Sequence, residues 1–191
     1  MSGDNTAFFY GTLVGYTPNF LAMAPEVFFS VCYGNRDPPK VIKDLHTFTP
    51  AILEGYCRHR VQEADYPGVI AEKGHTVLGI YATGLTDANV DKLDSFEGPE
   101  YTKTPVQVKL VRKDGDKTSE GEIKETSVYV FNTPSYLEKV EWDFEEFRKQ
   151  KMQFWTRGGW AFDQGKSPIL AHKATFADTT GPDTADQTPS N

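Results

Sequence analysis

The chain has 191 residues, 38% hydrophobic and 13% aromatic, which suits one globular domain with a real core and leaves little room for two. Its formal net charge of -7 excludes the basic face with which a nucleic-acid binder displaces counterions. The start "MSGDNTAFFYG" has no basic region followed by an apolar run, and no stretch approaches the ~20 apolar residues that span a bilayer, so the expectation is a cytoplasmic protein with no membrane partner.

Residues 1–6 are small and polar and predict a loose end, after which "AFFY" reads as a short buried strand. The strand stops at Tyr10-Gly11-Thr12-Leu13, and Gly11 and Gly15 give up side-chain packing there. Two readings fit this turn. It is an ordinary strand-to-helix connection, or its successive backbone N–H groups form a concavity for a carboxylate or a developing oxyanion. A phosphate loop of the GxxxxGK kind is excluded, since no Lys follows the glycines.

"NFLAMAPEVFFSVCYG" predicts a helix that breaks or restarts at Pro25, and the Pro-rich, charged "NRDPPKVIKDLHTFTP" predicts a long surface loop. From Pro50 onward, "AILEGYCRHRVQ", "GVIAEKGHTVLGIYATG", "TPVQVKLVRK" and "TSVYVFN" are β-rich runs separated by Gly, Asp and Pro. They predict a strongly curved or closed sheet. Val106, Val108 and Leu110 alternate with Gln107, Lys109 and Val111, giving a buried and a mostly wet face, and "RKDGDK" carries an Asp-Gly hairpin signal.

Two helices are expected among and after the strands. "TDANVDKLDSFEG" offers Thr86 as N-cap, Val90, Leu93 and Phe96 on one face, and Gly98-Pro99 as a stop. "LEKVEWDFEEFRKQKMQFW" places Val140, Phe144 and Phe147 on a stripe. The division is a single domain over residues 1–173 and a polar, disordered tail over 174–191.

Cys32 and Cys57 form no CxxC pair and have no His at ligand spacing. They read as reduced thiols, with neither a disulfide framework nor a metal site. His46, His59, His75 and His172 are scattered and read as surface or structural residues. No Ser-His-Asp arrangement follows from their order.

Glu97 is the unusual carboxylate. It lies four residues after Leu93, so the apolar face of its helix ends in a charge, next to the carbonyl end of the helix. Desolvation there would raise its pKa and let it exchange a proton near neutral pH; the alternative is an exposed terminal Glu with no role. Asp91 and Asp94 read as a solvated flank.

These features occur in a series: "FFYGTL" at 8–13, "AILEGYCR" at 51–58, "YPGVI" at 66–70, "TVLGIYATGLTDANVDKLDSFEG" at 76–98 and "YTKTPVQV" at 101–108. The series resembles the γ-glutamylcyclotransferase-like superfamily, in its AIG2-like and γ-glutamylamine cyclotransferase branch, over about residues 7–150. The resemblance implies an α+β fold, a small, mixed, strongly bent barrel-like sheet flanked by a few helices. It also implies release of 5-oxoproline and a free amine from a small-molecule γ-glutamyl amine or related amide, with no metal and no cofactor. Carried across, Glu97 in "FEG" is the catalytic acid/base, and Tyr10, Gly11, Thr12, Leu13, Val14 and Gly15 form the substrate-binding turn.

Tyr101 reads either as a pocket residue or as a core aromatic at a strand start. Three features depart from the family pattern: Lys103 where members commonly have Arg, the Pro-rich 34–50 segment, and a trailing segment after residue 150 that holds Trp155 and Trp160. Two other function classes use the same residues. One is a non-catalytic small-molecule binding protein of the same fold, and the other is a secondary-metabolism enzyme acting on a different amide.

Overall fold

The computed structural model describes residues 3–11, 15–16, 23–62, 64, 66–114 and 117–142. Ala7, Phe8 and Phe9 are all buried, which makes β1 (Asn5–Phe9) a strand with neighbours on both sides. Next comes a small ladder of β2 (Gly15–Tyr16) and β3 (Met23–Ala24), then α1 (Glu26–Tyr33) and the short α2 (Lys40–Lys43). Two long hairpins carry most of the sheet: β4 (Thr47–Val61) with β5 (Pro67–Leu85), and β6 (Tyr101–Asp114) with β7 (Lys117–Phe131). The helix α3 (Asp87–Glu97) joins them and β8 (Leu137–Glu141) follows.

The strand order is β5-β1-β7-β6-β4-β8, and β4 pairs again with β5, so the first five close into a ring with β8 outside it. The expected bent, barrel-like mixed sheet is thus present, though the ring is uneven. β1 is five residues long and β5 nineteen. β1 runs antiparallel to β5, with Phe8 opposite Tyr81, and parallel to β7, with Phe8 opposite Val128.

Side-chain alternation along these strands produces two cores. Inside the ring Phe8, Leu53, Val69, Val77, Val108 and Val128 pack together. Outside it Phe9, Ile80 and Phe131 pack against Phe28, Phe29 and Cys32 of α1 and Leu93 of α3. Burying each large side chain of this kind contributes about 1.5–3 kcal/mol. Val106, Val108 and Leu110 pack with the inner core as the alternation predicts, and a register shift between Lys109 and Val111 turns Val111 into a buried position as well.

Thr86 caps α3 as expected: its hydroxyl accepts from the Asn89 backbone N–H, and Asn89 Oδ1 accepts in return from the Thr86 N–H. Three expectations need correction. Among the described residues of the 19–34 stretch the helix is Glu26–Tyr33, after Pro25, while Met23–Ala24 pairs with Gly15–Tyr16. The 34–50 segment is not a plain loop. It holds α2 with its Lys40–Asp44 pair, buries His46, and enters β4 at Thr47.

His46 is held by the Tyr33 hydroxyl 2.6 Å from Nε2 and stacks edge-on against Phe28, and burial lowers its pKa. Finally, Leu137–Glu141 is a strand, because β4 offers a free edge: Val61 pairs with Leu137 and His59 with Glu141. Leu137 is buried there and Val140 is exposed. Phe144, Phe147, Trp155, Trp160, His172 and the 174–191 tail lie outside the described residues.

Candidate active site

The turn after β1 takes its shape from crowding. Gly11 has φ 78°, a left-handed conformation, and a Cβ there would lie 2.6 Å from Pro67 Cγ. The glycine therefore lets the first turn press against the "YPG" corner where β5 begins. Tyr10, just before it, donates its hydroxyl to the Tyr129 carbonyl at 2.5 Å and accepts from the Val69 backbone N–H at 3.3 Å. Tyr101, at the start of β6, donates to the Pro67 carbonyl at 3.2 Å and stacks edge-on against Phe131. It is a buried core aromatic. This is the core-aromatic reading, and Glu97 acts on the same phenol through its charge.

Glu97 closes α3 where the chain turns through Gly98–Glu100 into Tyr101. It is half-buried, and burial of its carboxyl pushes the pKa up to about 8. The negative charge of Glu97 adds to burial in raising the phenols of Tyr10, Tyr101 and Tyr129. One carboxyl thus acts electrostatically on three tyrosines drawn from the β1 end, the β6 start and β7. At pH 7 a group with that pKa is roughly nine-tenths protonated, so it holds a proton and still releases it readily.

One turn earlier on α3, Asp94 is not the free solvated carboxylate that its flank position suggested. It accepts from the Tyr129 hydroxyl at 2.7 Å and pairs with Lys103 Nζ at 2.8 Å. Burial opposes its charge, and the bonds from Lys103 and Tyr129 outweigh it and hold the carboxyl below its ordinary value. This network ties the end of α3 to β6 and β7 and fixes the helix turn that carries Glu97. Lys103 is therefore committed to Asp94.

The residue that sequence reasoning missed is Arg58. It lies opposite Val69 in the β4–β5 register, so its side chain is on the inner face of the ring with Val69 and Tyr10. Its Nε and Nη1 are buried and have no hydrogen-bond partner among the described residues, the guanidinium lies 5.7 Å from the Trp142 ring, and its charge lowers the Tyr10 phenol against the rise from burial. A buried cation with open donors invites an anion. A separate cavity of ≈ 620 Å³ is lined by Ile52, Leu53, Tyr56, Val106, Gln107 and Thr126 among others. None of Tyr10, Glu97 and Tyr101 lines it.

Of the expected site residues, the structure brings together Tyr10, Gly11, Glu97 and Tyr101. Gly15 lies in the β2–β3 ladder opposite Ala24, and Thr12, Leu13 and Val14 lie outside the described residues.

This site lies within residues 7–148, the stretch that matches the profile of the family described as "Gamma-glutamyl cyclotransferase, AIG2-like". The chain belongs to that family. Among its relatives in Arabidopsis thaliana, Protein AIG2 C is 37% identical over 99 residues, covering 52% of this chain and 56% of the relative. The chain thus spans little more than half the length of that protein. AIG2-like protein B is 31% identical over 134 residues, covering 68% of this chain and 74% of the relative.

The AIG2-like chain is also similar to the solution structure of an Arabidopsis thaliana protein, with a TM-score of 0.49 at 22% identity, covering 94% of this chain and 89% of that one. A solved gamma-glutamyl cyclotransferase gives a TM-score of 0.39 at 12% identity, covering 97% of this chain and 93% of the other. Among the described residues of the AIG2-like chain, no helix is long and apolar enough to cross a membrane.

Proposed function

We propose that this chain is a γ-glutamyl cyclotransferase that converts a γ-glutamyl amine or related amide into 5-oxoproline and the free amine. The observation that carries the reading is Glu97: a half-buried carboxyl in the family's "FEG" position, its pKa pushed up to about 8, among Tyr10, Tyr101 and Tyr129. Cyclotransfer needs one group that takes a proton from the attacking amine and returns one to the departing nitrogen. A carboxyl poised near neutral pH does both.

In this reading the substrate's α-amino nitrogen attacks its own γ-carbonyl carbon. Glu97, in its ionised form, accepts the amine proton as the new C–N bond forms. The same carboxyl then protonates the leaving nitrogen as the old C–N bond breaks, so no proton or water is consumed overall. Ring closure is intramolecular, and the protein mainly holds the substrate folded. The turn from Tyr10 to Gly15 binds the substrate in this scheme. Arg58 supplies the counter-charge for its α-carboxylate, the role left open by Lys103 being tied to Asp94.

The test is 5-oxoproline release from a panel of γ-glutamyl amines and peptides. Glu97→Gln is expected to lower kcat by about 10²–10⁴-fold with binding retained. Arg58→Ala is expected to raise KM, by roughly ten- to a hundred-fold, for loss of charged hydrogen bonds. Release of no 5-oxoproline by wild type, with ligands bound equally by Glu97→Gln, refutes the catalytic reading and leaves a binding protein.

A further inference from the structure

We propose that Cys57, His59, Glu72 and His75 form a zinc site on the outer side of the β4–β5 hairpin, away from Arg58. The proposal does not depend on the cyclotransferase reading. Cys57 and His59 stand two apart on β4 and so share one face, opposite to that of Arg58 between them. On β5, Ala71 is opposite Tyr56 and Thr76 is opposite Glu54. Residues 72–75 therefore have only Gly55 across from them and must bulge out of the ladder. Gly74, at φ 92°, makes the reversal. This excursion carries Glu72 and His75 back over β4.

The resulting geometry is close. His59 Nε2 is 2.7 Å from one Glu72 oxygen, and His75 Nε2 is 3.2 Å from the other. The donor atoms of Cys57, His59 and Glu72 all lie within 4.8 Å of one another, as do those of Cys57, His75 and Glu141. A tetrahedral zinc ion sits about 2.0–2.3 Å from its ligands, with neighbouring donors about 3.2–3.8 Å apart. Cys57 is common to both groups, and Glu72 lies within ion-pair distance of both imidazoles and so links them. A sulfur, two imidazoles and a carboxylate suit zinc better than the oxygen-preferring Mg²⁺ or Ca²⁺.

Electrostatics favours a cation here. Glu72 lies in the cluster and Glu141 lies beside Cys57 and His75, so carboxylates flank the sulfur. Zinc is bound by thiolate, so forming the S–Zn bond releases the Cys57 thiol proton to the buffer. Because Cys57 and His59 come from β4, and Glu72 and His75 from the β5 excursion, the ion cross-links the two strands at the end where β8 joins.

The experiment uses the full chain, stripped with a chelator and titrated with Zn²⁺ by calorimetry in two buffers of different ionisation enthalpy. The result expected is uptake of about one equivalent with proton release and a rise in Tm. Co²⁺ in its place is expected to give a thiolate-to-metal charge-transfer band that Cys57→Ser abolishes. Because Cys57 is buried, the second variant is Glu72→Gln, whose side chain is 38% exposed. It is expected to keep the wild-type circular dichroism and to weaken zinc about tenfold or more. Absence of stoichiometric uptake by wild type overturns the site, and so does unchanged affinity in folded Glu72→Gln.

Discussion

Glu97→Gln separates a buried proton carrier from an exposed helix-end glutamate, because the two differ in how stability depends on pH. The native carboxyl titrates at about 8 against an ordinary 4.5. Between those values the folded chain keeps a proton that the unfolded chain has released. The native state then binds more protons, so stability is full below about pH 4.5 and falls as pH rises through about 8.

At ~1.4 kcal/mol for each tenfold change in proton affinity, the full loss is at most about 5 kcal/mol. Solvent contact at Glu97 makes this an upper bound. Glutamine fills the same space and does not titrate, so the stability of Glu97→Gln relative to wild type should climb by several kcal/mol from about pH 4 to about pH 9. For a chain of this size, ~2–4 °C per kcal/mol gives a Tm difference that widens by at most about 10–20 °C. Thermal and urea unfolding of both proteins across that range measures it. Parallel profiles, with the difference changing by less than about 1 kcal/mol, would refute the burial argument and the acid/base role built on it.

Gly11→Ala forces a side chain into a left-handed backbone and against Pro67 Cγ, and is expected to cost about 1–3 kcal/mol and to impair 5-oxoproline release, read by urea unfolding beside the assay. Thr86→Ala removes the hydroxyl that caps α3 and should cost about 1 kcal/mol, while Thr86→Ser, which keeps it, stays close to wild type. Tyr129→Phe deletes the hydroxyl bond to Asp94, and NMR titration should show the Asp94 carboxyl moving up toward its ordinary value; an unmoved Asp94 counts against the network. Phe28→Ala, at a ring that is itself 1% exposed, is expected to cost about 3–5 kcal/mol in urea unfolding.

Local chemistry made several elements legible without tertiary information. The run Ala7–Phe9 read as buried, Thr86 as an N-cap and the Val106–Leu110 alternation as a strand face, because each depends on near neighbours in the chain. Glu97 was legible as an unusual position for the same reason: a carboxylate four residues beyond Leu93 interrupts an apolar helix face. Spacing left open whether it was buried, and that was decided by the fold, in which Tyr10 and Tyr129 bond across 119 residues and Glu97 acts on both phenols.

Other features exist only because distant strands meet. Leu137–Glu141 is a strand rather than a helix since β4 presents an open edge to it, and a backbone edge has no signature in the sequence of the strand that will cover it. Arg58 reads as one more cation in "CRHR" until its pairing with Val69 points it into the ring. Cys57 and His59 share a strand face, but Glu72 and His75 come to them only through the excursion at 72–75, set by register against Gly55. The sequence determined which residues prefer to be buried, capped or turned. The tertiary structure decided which charges lose their water, since desolvation is produced by neighbours brought from elsewhere in the chain.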